Sequence, residues 1–99
     1  MVLDWVGRHT GRAPAALAAR VAALAQSVSA DGSIDGILAT AGAAALERVA
    51  TQAGDRSVAL DLLAADALIT LALLARAQHA PDQLGDFART LLPVRGAGR

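Results

Sequence analysis

The sequence predicts an all-α fold, a compact bundle of four main helices with a short additional helix at the N-terminus. Alanine and leucine, both strong helix formers, dominate the chain, and 26 of its 99 residues are alanine. Aromatic residues make up only 2% of the chain, and no alternating run of apolar and polar residues is long enough to indicate a strand. At this length we expect a single domain, residues 1–99.

A break around Gly7–Ala13 separates the first two predicted helices. Residues 1–10 are expected to form the short N-terminal helix, with Trp5 as a packing residue at one end of the bundle. Pro14 suits the first turn of a second helix, which we expect to run to about Ser29. Four apolar residues of this helix share an arc of roughly 60°, and we call them the helix-2 seam: Leu17, Val21, Leu24 and Val28. The helix-2 seam is a candidate interface for self-association or for binding another protein.

The third helix is predicted to begin after a turn at Ala30–Ser33. Ser33 is a suitable N-cap, and Asp35 in the first turn is favoured by the helix dipole. Gly42 lies on the apolar side, where an interior glycine costs roughly 1 kcal/mol of helix stability. Its expected use is therefore a close approach to a neighbouring helix. Gly54 is expected to end the helix as a C-cap.

The fourth helix, residues 56–79, is expected to be the centre of the bundle. Its large apolar residues point in every direction around the helix axis, a pattern typical of a helix buried on all sides or lying in a membrane. Residues 58–75 are near the minimum length of about 17 to 20 residues for a membrane span. Asp61 and Asp66 lie inside this stretch, and each would cost roughly 2.5 to 3.5 kcal/mol at mid-membrane. The sequence therefore favours a buried central helix, with membrane association as an alternative.

A fifth helix is predicted after Pro81, and Pro93 is expected to stop it. Residues 94–99 are rich in glycine and arginine and are expected to form a frayed tail.

Asp61 and Asp66 are the candidate functional polar residues of the core helix. They project about 140° apart, which argues against a shared metal site. Each is expected to be solvated or paired with an arginine, for example Arg20, Arg48 or Arg56. The two histidines, at positions 9 and 79, are expected to be exposed or to cap helix ends. The sequence contains no recognisable catalytic, cofactor-binding or metal-binding motif.

The charge and cysteine content exclude several classes of function. Nine arginines, with no lysine, balance nine acidic residues, so the net charge is zero and a nucleic-acid partner is not expected. The chain has no cysteine, which excludes a disulfide framework and a thiol nucleophile and is compatible with the cytoplasm. The high alanine and arginine content is typical of a GC-rich, bacterial-type genome.

These observations predict a non-enzymatic helical module for protein–protein interaction or oligomerisation. A homodimer or an accessory subunit of a larger assembly would use the surplus of apolar and alanine surface, because exposed apolar patches mark partners. One alternative is a carrier that encloses an apolar small molecule, such as a lipid or isoprenoid, within the bundle. A second alternative is a protein that associates with a membrane through its fourth helix.

Overall fold

The computed structural model describes residues 2–28, 32–52 and 56–91, which are 86% helical and contain no strand. The prediction of an all-α fold is confirmed. A 3₁₀ turn, Pro81–Gln83, precedes the last helix. The five α-helices are α1 (Val2–His9), α2 (Ala15–Gln26), α3 (Ile34–Ala50), α4 (Arg56–His79) and α5 (Leu84–Leu91).

Local hydrogen bonds explain where several of these helices begin and end. The hydroxyl of Ser33 accepts a hydrogen bond from the N–H of Gly36 and caps α3, as the sequence predicts. The helix α2 ends earlier than expected, at Gln26, because the next residue, Ser27, turns its hydroxyl back onto the carbonyl of Leu24. The expected C-cap Gly54, Pro93 and the tail 94–99 lie outside the described residues.

The helix α4 is central, and it packs against α2, α3, α5 and the 3₁₀ turn. The α4 residues buried by these neighbours fall within an arc of about 120°, and we call them the inner face of α4: Asp61, Ala64, Ala65, Leu68, Leu71, Ala72 and Ala75. Four of the seven are alanine, so neighbouring helices can lie close to the α4 backbone.

Gly42 makes the contact between α3 and α4 close, as predicted. A methyl group at Gly42 would lie 2.8 Å from Cγ1 of Ile69 and 3.3 Å from Cβ of Leu68, closer than side-chain carbons normally approach. Nearer the start of α3, Asp35 contacts Arg76, which is near the end of α4. Because earlier residues of α3 meet later residues of α4, the two helices are antiparallel.

One face of α4 is not covered, which differs from the expectation that this helix is buried on all sides. Leu62, Leu63 and Leu74 are 48%, 57% and 39% exposed. The physical reason is the small number of neighbours: the helices that pack on α4 all lie against its inner face or the flanks beside it.

The helix α1 closes one end of the core through Trp5 and Val6, which are both buried. The ring of His9 stacks on Trp5 with 3.9 Å between ring centroids, and its Nδ1 lies 2.9 Å from the carbonyl oxygen of Trp5. The prediction that Trp5 is a packing residue is confirmed.

Candidate functional site

The helix-2 seam, predicted as an interface, faces the protein's own core. Val21 is fully buried and Leu24 is 7% exposed, while Leu17 and Val28 are half-buried and pack against the same core. These side chains therefore leave little surface for a partner, and exposed apolar surface has to be sought elsewhere.

Asp61 pairs with Arg20, one of the three arginines expected as partners. Nε of Arg20 lies 2.5 Å from Oδ1 of Asp61, and the side chain of Asp61 is only 7% exposed. The hydrogen bond and the charge of Asp61 raise the pKa of Arg20 above its usual value. This pair joins α2 to α4, so Asp61 has a structural partner.

A second buried charge cluster joins the start of α3 to the end of α4. Oδ2 of Asp35, whose side chain is fully buried, lies 2.5 Å from Nε of Arg76 and 3.6 Å from Nε2 of His79. The N–H of Arg76 does not point at this oxygen, so the contact is an ion pair without an aligned hydrogen bond. Arg76 also donates a hydrogen bond to Gln83 and lies 4.3 Å above the ring of Phe87.

The charged form of Asp35 is favoured inside this cluster. Burial raises the pKa of Asp35, but four groups together outweigh burial: the hydroxyl of Ser33, the charge of Arg76, the N–H of Gly36 and the charge of His79. The net effect lowers the pKa of Asp35 below its ordinary value. The sequence indicated Asp35 only as a helix-dipole residue, and its role as an interhelical ion-pair partner was not predicted.

This lowered pKa predicts a loss of stability in acid. The unfolded chain, with an Asp pKa of about 3.9, binds a proton at higher pH than the folded protein, so Asp35 stabilises the fold at neutral pH. That contribution is lost as the pH falls through the folded-state pKa. Urea unfolding from about pH 6 to about pH 2, followed by Trp5 fluorescence, should show a smaller acid loss in Asp35→Asn than in the wild type. Equal acid dependence in both proteins would contradict this assignment.

The groove next to this cluster is open to solvent, and four of the five residues that line it are of polar type. It has a volume of about 510 Å³ and is lined by Arg76, Gln83, Asp86, Phe87 and Thr90. Arg89 forms an exposed ion pair with Asp86 at its rim. A groove this open does not enclose an apolar ligand.

The histidines lie at helix ends, as predicted. Nδ1 of His79 is 2.9 Å from the carbonyl oxygen of Ala75, which matches the arrangement of His9 on Trp5. Each imidazole therefore caps one of the last carbonyl groups of its helix. Over residues 2–28, 32–52 and 56–91, no three His, Asp or Glu side chains form a group that could hold a metal ion.

The most distinctive surface is the uncovered side of α4, opposite its inner face. These residues are all exposed and share a second arc of about 120°, and we call them the outer face of α4: Ala59, Leu62, Leu63, Asp66, Thr70 and Leu74. Asp66 is therefore solvated, as expected, while Asp61 is buried on the opposite side. Four of the six outer-face residues are apolar, and three of these four are leucines, whereas most of the inner face is alanine.

The helix α4 is long and apolar enough to span a membrane, with a mean hydropathy of 2.1 in its most apolar 18-residue window. However, 44% of that window is buried within the fold. A central helix of a water-soluble bundle has the same length and composition, so this feature alone is weak evidence for a membrane span.

This chain has no significant match among models of protein families, among curated proteins or among solved structures. Its fold and surface define it only as a small all-α protein with an apolar helix face exposed to solvent.

Proposed function

We propose that this protein is a non-enzymatic helical module that self-associates through the outer face of α4. The observation that carries the proposal is the distribution of side chains around this helix. Three leucines are exposed on the outer face, while alanines form most of the inner face. Full burial of a leucine side chain is worth roughly 1.5–3 kcal/mol. Covering the outer face would therefore recover apolar burial that the isolated chain leaves unused.

A second copy of the chain is a partner of suitable chemistry. A twofold interface uses the same surface on both subunits, so the apolar outer face of one copy meets an equally apolar face of the other. The net charge of the chain is zero, so two copies do not repel each other at long range.

The carrier alternative has less support from the described part of the chain. The groove beside Phe87 is open to solvent, whereas a lipid or isoprenoid requires an enclosed apolar cavity. Membrane association would use the same outer face as self-association. The experiment below therefore distinguishes these two functions.

Size-exclusion chromatography with light scattering, over a dilution series without detergent, tests the proposal. We expect a mass of about twice the 10.0 kDa of one chain. The variant Leu62→Gln/Leu63→Gln should weaken association at least about 100-fold, because both copies lose two central apolar contacts. The control is Leu3→Gln on α1. It makes the same leucine-to-glutamine replacement at a leucine that is 39% exposed and lies outside the outer face. It should leave the mass unchanged.

A monomer at every concentration would overturn the proposal. Flotation with vesicles of phosphatidylcholine and phosphatidylglycerol extends the same test. Wild-type protein that floats with these vesicles, and loses this property in Leu62→Gln/Leu63→Gln, would instead assign the outer face to a membrane surface.

A further inference from the structure

We propose that two copies pair through the outer faces of antiparallel α4 helices. The twofold axis lies at the level of position 61 along the helix, so that Arg56 of each copy meets Asp66 of the other. This inference rests on the self-association proposed above and specifies its geometry.

The two charges of this surface have opposite signs and are separated along one helix. Asp66 lies within the outer face, and Arg56 lies at its edge in the first turn of α4. Their separation of ten positions corresponds to about 15 Å along the helix axis. The ion pairs among the described residues involve neither of them. Within the described part of the chain, no ion pair therefore competes with a second copy for either charge.

Two other twofold arrangements of α4 bring like charges together. In a parallel pair, and in an antiparallel pair centred on Asp66, the two Asp66 carboxylates would oppose each other within an apolar surface, which is unfavourable. An antiparallel pair centred on position 61 brings residues whose numbers add up to 122 opposite each other. Asp66 then meets Arg56 twice in the dimer, once on each side of the axis.

The same axis places the most exposed leucines at the centre of the interface. Leu62 and Leu63, at 48% and 57% exposure, lie within two positions of the axis, so four leucines of the two copies would meet there. Ala59 would lie opposite Leu63, and a small residue opposite a large one allows close packing. Arg56 is disfavoured by the dipole at the N-terminal end of α4, and the opposing Asp66 carboxylate would offset this.

Charge reversal tests the pairing. Asp66→Arg and Arg56→Asp should each weaken dimerisation about tenfold, since each change affects two pairs in the dimer. The double variant Arg56→Asp/Asp66→Arg should return to within about threefold of the wild type, and the single-variant losses should shrink in high salt. A control, Arg12→Asp, reverses an exposed charge outside α4 and should have no effect. A double variant no better than the single variants would overturn the charge pairing.

Spin labels test the direction and centre of the pair, because the chain has no cysteine and one can be introduced alone. In the proposed geometry, labels on Thr70→Cys should be about 25–30 Å apart and labels on Ala59→Cys about 10 Å apart. A short distance at both positions would indicate a parallel pair. That result would overturn the antiparallel geometry but would leave the proposed self-association intact. A dimer that loses its short Ala59→Cys distance would likewise reject the axis at position 61. A monomer in every measurement would reject both proposals.

Discussion

Replacing Arg76 with methionine is expected to lower the free energy of unfolding by about 3–5 kcal/mol, because it leaves a buried carboxylate without its charged partner. Asp35 is fully buried, and Arg76 is the cation nearest to its Oδ2. Methionine has a similar length and is also a good helix former, so the loss of charge dominates. Urea unfolding at neutral pH, followed by Trp5 fluorescence, measures this loss.

Two further variants separate the ion pair from a general effect of losing an arginine. Arg89 pairs with Asp86 on the surface, so Arg89→Met should change stability by less than about 0.5 kcal/mol. The double variant Asp35→Leu/Arg76→Met should be more stable than Arg76→Met, because no unpaired buried charge remains. If Arg76→Met proves as stable as Arg89→Met, the ion pair does not hold α3 to α4.

Local signals in the sequence predicted several features of the fold correctly. The bounds of α4 agree with the expected residues 56–79. An interior glycine indicated the close approach of two helices, and Gly42 meets Leu68 and Ile69 at short distance. An aspartate on an apolar helix was expected to be solvated or paired with an arginine, and Asp61 forms an ion pair with Arg20. Each of these predictions depends on one residue and its immediate helical environment.

The Asp35 cluster could not be predicted in the same way. Asp35 and Arg76 are far apart in sequence, and they meet only because Gly42 and the alanines of α4 set the register between α3 and α4. In the sequence, an aspartate in the first turn of a helix is fully explained by the helix dipole. The physical information that was missing is the alignment of two antiparallel helices.

The uncovered side of α4 was missed because a helix that is apolar all round does not indicate which face is covered. One signal was present in the residue sizes. Ala64, Ala65, Ala72 and Ala75 share one side of the helix, whereas Leu62, Leu63 and Leu74 lie away from it. Small residues are required where another backbone approaches closely, so the alanine side was the side to expect against α3.

Replacing Leu24 with alanine is expected to destabilise the fold itself, by about 2–5 kcal/mol. Leu24 belongs to the helix-2 seam, is only 7% exposed, and packs in the core with Val21 and Ala25 of the same helix. Removing its side chain leaves a cavity between packed helices, which costs more than the lost apolar burial alone. Urea unfolding at a concentration where the wild type is monomeric would measure this loss.

The matched comparison is Leu62→Ala, the same chemical change on the outer face of α4. Since Leu62 is 48% exposed, the stability of the monomer should change by less than about 0.5 kcal/mol. Dimerisation should weaken instead, because the substitution removes apolar contact from both copies. The opposite pattern would be a Leu24→Ala monomer that is stable but no longer associates, together with a Leu62→Ala variant that dimerises normally. That result would indicate that the helix-2 seam is the interface. The same leucine-to-alanine substitution at these two positions thus distinguishes a residue that stabilises the folded monomer from one that stabilises the dimer.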